Sequence, residues 1–171
     1  VRQNWCALER IEVKPTDLWI ALDAIADPGN LGTIMRTADA VGARGIILLG
    51  NSTDPHDPTA VKASMGAIFS LDLVQAEWEP FTRWQSSQNL MMVGTSDSAK
   101  NDYQGVAYQR PLILLMGSER HGLSEKMQSA CDPMVFIPMA GRSDSLNLAV
   151  ATAVMLYEIY NQFRTQEEAT P

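Results

Sequence analysis

The sequence predicts an α/β fold in which a parallel sheet is covered by helices on both faces. Short apolar runs alternate with segments of helical spacing along most of the 171 residues. The run 45–50 is apolar and bounded by glycines, which is typical of a parallel strand buried on both faces. Such alternation places helices between successive strands of one sheet.

The first strand and helix are predicted from residues 18–42. Residues 18–25 form an apolar run that ends at the turn-forming sequence Asp27-Pro28-Gly29. Asn30 is predicted to cap the following helix, which extends to Val41 and stops at Gly42. The apolar residues of this helix share one face, namely Leu31, Ile34, Met35, Ala38 and Val41.

The later elements continue the alternation. The pattern predicts further strands at residues 45–50, 68–74, 90–95, 111–116 and 134–139. It predicts helices at residues 59–65, 80–87, 124–130 and 145–163, with Ser124 capping the third of these. The polar residues 101–110 are predicted to form a loop.

The chain length fits one domain with a substantial core. We assign residues 18–166 to this domain, residues 1–17 to an N-terminal linker or edge segment, and residues 167–171 to a tail. No apolar run is long enough to span a bilayer, and no secretion leader is recognised. Two cysteines are too few for a disulfide framework or a cysteine-rich metal site, so a cytoplasmic protein without a bound metal is predicted.

The net charge of −7 argues against a nucleic-acid partner, because phosphate contacts normally need a positive surface. Any RNA-binding role therefore has to be reconciled with an acidic chain.

Three segments at predicted strand ends carry polar residues suited to chemistry, because ligands of such sheets bind beyond the carboxyl ends of the strands. The first contains Asn30, Gly32 and Arg36 at a helix start, where glycines allow close backbone approach. A capped helix with a solvent-facing arginine would give the same spacing.

The second segment is 114–123, in which Gly117, Glu119 and Gly122 follow a strand. Gly117 would let a ligand lie against the strand end, and Glu119 could hold a ribose or orient a partner side chain. The alternative is a loop whose glycines serve turn geometry alone.

The third segment is 137–149, in which a strand runs into a helix opened by Ser145 and Asn147. Unpaired N–H groups at this helix start suit a carboxylate or a ribose oxygen. The simpler interpretation is that Ser145 caps the helix, and the two roles are compatible.

The long helix at 145–163 is apolar on nearly all faces, so it must be buried on more than one side. One face can pack on the sheet, and the other is predicted to pack on a second subunit. Burial under other parts of the same chain is the alternative.

Taken together, the three segments resemble the TrmH/SpoU branch of the SPOUT methyltransferases. Asn30, Gly32, Arg36 and Ala38 look like its first motif, and Gly117, Glu119 and Gly122 look like its second. Residues 137–147 look like its third, Ile-Pro-Met-x-Gly-x-x-x-Ser-Leu-Asn, and the stretch 61–67 is also similar. The resemblance covers roughly residues 18–163, and three motifs in order are specific.

The resemblance implies a deep C-terminal trefoil knot that forms the cofactor pocket, and a homodimer, through the C-terminal helix and the motif segments, with the active site at its interface. The implied activity is methylation of a ribose 2′-hydroxyl in rRNA or tRNA, with S-adenosylmethionine as the donor. The implied donor-binding residues are Thr95, Gly117, Ile137, Met139 and Leu146. The implied catalytic residues are Arg36, Asn30, Glu119, Ser145 and Asn147.

A guanidinium is almost always protonated, so we expect Arg36 to stabilise the developing alkoxide and clamp the adjacent phosphate instead of acting as a base. Many relatives carry an extra N-terminal RNA-binding domain. We expect that such a domain is absent from this chain, which would reconcile the acidic charge with an RNA substrate.

Three other functions remain open from the sequence. A non-catalytic RNA-binding dimer could keep the same fold, and other SPOUT branches methylate bases, although their motifs look different. A dinucleotide-binding domain is disfavoured because no Gly-x-Gly-x-x-Gly follows the first strand.

Overall fold

The computed structural model describes residues 5–168, with the side chains of 167 and 168 left out of the description. Seven strands form one sheet in the order β3-β2-β1-β6-β4-β7-β5, and every pairing between them is parallel. The strands are β1 (Leu18–Asp23), β2 (Gly45–Leu49), β3 (Asp72–Ala76), β4 (Met91–Thr95), β5 (Asn101–Asp102), β6 (Leu112–Met116) and β7 (Met134–Phe136).

Within residues 5–168, five α-helices flank the sheet, so the predicted α/β class is confirmed. They are α1 (Pro28–Ala40), α2 (Pro58–Ser64), α3 (Trp78–Ser87), α4 (Glu125–Ser129) and α5 (Leu148–Glu168). Short 3₁₀ helices occur at Leu8–Arg10 and Ala67–Phe69.

Two apolar cores cover the two faces of the sheet, because successive residues of a strand point to opposite sides. Ile20 of β1 belongs to the core that includes Met35 of α1 and Leu156 of α5. Its neighbour Trp19 belongs to the other core, with Phe81 of α3. This two-sided burial explains why the strands are continuous apolar runs.

Several predicted elements differ from the structure. The strand predicted at 134–139 ends at Phe136, where its pairing with β4 and β5 stops. The strand predicted at 68–74 is wrong in its first half, because Met65 and Gly66 take left-handed conformations with φ of 51° and 96°. The chain then turns through the 3₁₀ helix Ala67–Phe69, and the strand begins only at Asp72. The loop predicted at 101–110 contains the two-residue strand β5, whose polar residues Asn101 and Asp102 pair with β7.

The helix caps also correct the predictions. Asp27, not Asn30, caps α1, since its side chain accepts a hydrogen bond from the Asn30 N–H at 2.6 Å. Asn147, not Ser145, caps α5, which begins three residues later than predicted. Ser124 caps α4 as predicted.

Both ends of the described chain form regular structure beyond the predicted domain bounds. Trp5 and Cys6 contact Leu73, so the start of the described chain lies along the edge strand β3. Helix α5 continues to Glu168, two residues into the predicted tail, and residues 1–4 and 169–171 lie outside the described residues. Within residues 5–168, no helix has the length and hydropathy needed to cross a membrane.

Candidate functional site

A cleft of about 470 Å³ opens at the carboxyl ends of β4, β6 and β7. These strands are neighbours in the sheet, so the segments that follow them meet at one edge. The cleft is lined by three stretches of chain and the start of α5, namely Thr95–Asp97, Met116–Glu119 with Gly122, Val135 with Ile137 and Met139, and Ser145–Leu148 with Ala151.

All five residues predicted to bind the donor line this cleft. Thr95 ends β4, Gly117 directly follows β6, Ile137 and Met139 follow β7, and Leu146 precedes α5. Residues of the second and third motifs thus share one cavity with Thr95, and the donor-binding role of all five stays a prediction.

Three predicted catalytic residues form one hydrogen-bond network beside the cleft. Asn30 donates from Nδ2 to Oε1 of Glu119 at 3.4 Å, and Asn147 donates from Nδ2 to Oδ1 of Asn30 at 3.0 Å. Glu119 also accepts from the backbone N–H groups of Ala26 and Asp27, each at 3.4 Å. The network joins the start of α1 to the loop after β6 and to the start of α5.

The start of α5 is satisfied by its own cap. Oδ1 of Asn147 accepts from the N–H groups of Ala149 at 2.9 Å and Val150 at 3.3 Å. These two donors are therefore occupied and are not the free anion site that the sequence suggested. Ser145 lines the cleft from the exposed loop before this helix.

Gly117 is required by the turn that follows it, and not by ligand approach alone. A Cβ at this position would lie 2.1 Å from the carbonyl carbon of Gly122 and 2.3 Å from the amide nitrogen of Leu123. The turn 118–122 folds back so closely that only glycine fits beneath it.

Arg36 lies apart from these residues. It is exposed on α1, it does not line the cleft, and within residues 5–168 it makes no hydrogen bond or ion pair. The chain alone therefore brings together Asn30, Glu119, Ser145 and Asn147, and leaves Arg36 facing solvent.

Several cleft residues were missed by the sequence reasoning, and Asp97 is the most informative of them. Asp97 and Glu119 are the charged side chains in the described lining, so the cleft is negative. The position of Asp97 just beyond the end of β4 was a usable signal, since ligands bind beyond strand ends. Within residues 5–168, no cluster of His, Cys, Asp and Glu could hold a metal ion.

Burial changes the pKa of two groups near these elements. Desolvation raises the pKa of the Cys131 thiol to about 12, which leaves it protonated and unreactive at neutral pH. Burial also raises the pKa of Asp23, at the carboxyl end of β1. Neither group lines the described cleft.

Comparison with known proteins finds relatives that are named as rRNA methylases or methyltransferases. The model of the SpoU rRNA Methylase family matches residues 17–157. A 23S rRNA (uridine(2479)-2′-O)-methyltransferase of Streptomyces viridochromogenes is 37% identical over 170 residues, covering 95% of this chain and 59% of the relative. A 23S rRNA (guanosine-2′-O-)-methyltransferase of Ralstonia nicotianae is 34% identical, covering 91% and 62%.

Solved structures agree with these relatives. The AdoMet-bound rRNA methyltransferase from Sinorhizobium meliloti has a TM-score of 0.90 and 43% identity, over 93% of this chain and 61% of that one. The AviRb methyltransferase from Streptomyces viridochromogenes, in complex with AdoMet, has a TM-score of 0.86 and 36% identity, over 92% and 62%. The present chain spans less than two thirds of the length of each of these four proteins.

Proposed function

Since this chain belongs to the SpoU rRNA methylase family, we propose that it transfers a methyl group from S-adenosylmethionine to a ribose 2′-hydroxyl of RNA. The observation that carries the proposal is that the second and third motif segments line one cleft at the carboxyl ends of β4, β6 and β7, while Asn30 of the first motif is hydrogen-bonded to Glu119 and Asn147 beside it. Relatives named as rRNA 2′-O-methyltransferases support the reaction type. We propose rRNA or tRNA as the substrate, and the cytoplasm as the place of reaction.

The cleft fits the proposed donor in size and charge. A volume of about 470 Å³ lies within the range of small-molecule sites. Ile137, Met139 and Leu146 offer apolar surface for a flat base, while Asp97 and Glu119 favour a cation. When bound, S-adenosylmethionine supplies an electrophilic methyl group on a positively charged sulfur.

The polar residues beside the cleft would position the reacting groups. Glu119, Asn30 and Asn147 hold the starts of α1 and α5 in a fixed relation through their hydrogen bonds. Alignment of the hydroxyl oxygen with the methyl carbon can supply much of the rate enhancement in such a transfer. Arg36 would stabilise the developing alkoxide and clamp the neighbouring phosphate, because a guanidinium donates hydrogen bonds in pairs.

We propose that a second copy of the chain completes this site. Arg36 is exposed and outside the cleft of its own chain, so one chain does not unite all the predicted catalytic residues. Val150 and Tyr157, one face of α5, are 49% and 53% exposed, and Leu146 beside them is 37% exposed and lines the cleft. An apolar stripe that reaches the cleft is a suitable contact for a homodimer.

The order of the strands supports a knot in the same region. β7 lies between β4 and β5, although it follows both in the chain. The segment 96–111 leaves β4, passes that position to form β5 and returns to β6. We propose that β7 and the residues after it thread this loop, as the predicted trefoil knot requires.

Two measurements test the proposed function. Calorimetry with S-adenosylmethionine should show one site per chain, and incubation of rRNA and tRNA with methyl-labelled donor should place the label in 2′-O-methylated nucleosides. Label in the base would favour a base methyltransferase. RNA binding without any label transfer would favour the non-catalytic RNA-binding dimer.

A further inference from the structure

The two most exposed large apolar side chains among those of the described residues lie outside the cleft, at the turn after α2. Met65 is 73% exposed and Phe69 is 84% exposed. They are four residues apart and flank Gly66, and neither contributes to the apolar cores. We call these two residues the platform. Exposed aromatic side chains of this kind are uncommon without a partner.

The backbone beneath the platform is well anchored. Ser64, Ala67 and Ile68 are buried, and the Phe69 N–H donates to the carbonyl of Gly66 at 3.0 Å. Met65 itself adopts φ of 51°, a left-handed conformation that is unfavourable for a residue with a side chain. The turn therefore holds both side chains outward at some conformational cost, a pattern associated with functional surfaces.

Exposed basic residues lie on the two helices next to the platform, although the chain is acidic overall. Lys62 is exposed on the last turn of α2. Helix α1 packs closely there, since a Cβ on Gly32 would lie 2.6 Å from that of Ala63. Arg36 is one helical turn further along the face of α1 that carries Gly32, so it extends the same surface. Within residues 5–168, neither Lys62 nor Arg36 has an ion-pair partner.

We propose that the platform of Met65 and Phe69 stacks against an unpaired base of the RNA substrate. Every base has a flat face that an aromatic side chain can cover, and the flanking Lys62 and Arg36 complement the phosphates on either side. The platform follows α2, whereas the stripe proposed for self-association is on α5. The basic side chains of Lys62 and Arg36 near the platform favour RNA over a second copy of this acidic chain. The inference rests on the proposed function for its choice of RNA, and it adds a base-binding surface beside Arg36.

The test compares four substitutions of Phe69 and its neighbour in the full chain. Phe69→Ala and Phe69→Leu should weaken binding of a single-stranded RNA dodecamer about tenfold, the scale of loss when a stacking aromatic is removed. Phe69→Trp should retain the affinity, because stacking needs a ring and not merely an apolar side chain. Ser70→Ala, an exposed neighbour, is the matched control and should bind like the unmodified chain. Binding of an RNA duplex of the same sequence should change little in any variant.

Three further readouts make the result decisive. Melting temperature, S-adenosylmethionine affinity and sedimentation should be the same for all four variants, since Phe69 is exposed and distant in sequence from the cleft. Dissociation of a dimer by Phe69→Ala, with Phe69→Leu unaffected, would overturn the proposal in favour of a contact between copies. Unchanged RNA affinity in Phe69→Ala, or no RNA binding by the unmodified chain, would also overturn it. Loss of RNA affinity in a chain that binds no S-adenosylmethionine would support the platform and reject the proposed reaction.

Discussion

Asn147 has two roles that can be separated by substitution. Its Oδ1 caps α5, and its Nδ2 donates to Asn30. Asn147→Asp keeps the cap but sets a carboxylate 3.0 Å from the Asn30 carbonyl oxygen, and turning the Asn30 amide would only move the repulsion to Glu119. We expect Asn147→Asp to retain its melting temperature and to lose at least about tenfold in methylation rate, as misplacement of reacting groups does.

Asn147→Ala is the matched control for this separation. It removes both roles, so it should lose about 1 kcal/mol of unfolding free energy together with activity. Equal stability losses in the two variants, measured by denaturant unfolding, would contradict the division of roles.

A second prediction for a single residue follows from the position of Arg36, which lies outside the cleft of its own chain. Arg36→Lys keeps the positive charge but loses the paired donors, so we expect methylation to fall roughly 100-fold, as on removal of one transition-state donor. Stability and S-adenosylmethionine affinity should not change, because Arg36 contacts neither core nor cleft. Arg83→Lys on α3 is the control. Near-normal methylation by Arg36→Lys would exclude a specific guanidinium role.

The turn after β6 is tested by Gly117→Ala. The added Cβ would press on backbone atoms of Gly122 and Leu123, which cannot move without moving the cleft wall. We expect a stability loss of about 1–3 kcal/mol and an S-adenosylmethionine affinity at least tenfold lower. Gly105→Ala is the matched control, since a Cβ there would meet nothing closer than 3.5 Å and the residue belongs to none of the three motifs. Normal donor binding by Gly117→Ala in calorimetry would show that the turn can relax.

The contrast between elements that were and were not predicted from sequence has physical causes. Strands β2 and β6 were predictable because burial on both faces leaves a continuous apolar run. Strand β5 was not, because its two polar residues carry no periodicity and it exists only by pairing with β7. The cap of α1 was misplaced because Asp27 and Asn30 are both good caps, and only the geometry chooses between them.

The candidate site was predictable as a set of segments and not as a set of contacts. The family resemblance named Thr95, Gly117 and Ile137 for the donor, and the strand order of the structure brings them into one cleft. The contact between Asn30 and Asn147 spans 117 residues of sequence, and no local pattern encodes it. The separation of Arg36 from the cleft was likewise invisible in the motif that contains both Asn30 and Arg36.

At the scale of the whole molecule, we predict how a charge placed in the exposed apolar stripe of α5 changes the oligomeric state. Tyr157→Glu should convert a dimer into monomers, because a buried carboxylate without a partner is costly in an apolar contact. Ser86→Glu, which adds the same charge at an exposed position of α3, is the control and should remain a dimer. Sedimentation velocity measures the oligomeric state of both variants, and a dimer that persists in Tyr157→Glu would place the contact elsewhere.

The order in which the chain supplies the elements of the sheet also has a consequence for protein synthesis. The ribosome completes α1 and α2, with Arg36 and the platform, more than 60 residues before it adds the cleft wall at 135–151. A chain whose translation stops before β6 leaves one edge of β1 without its partner strand, and α1 without the helix α5 that packs on it. The surface that carries Arg36 therefore rests on a complete core only after the C-terminal half has been synthesised, so it is finished together with the cleft.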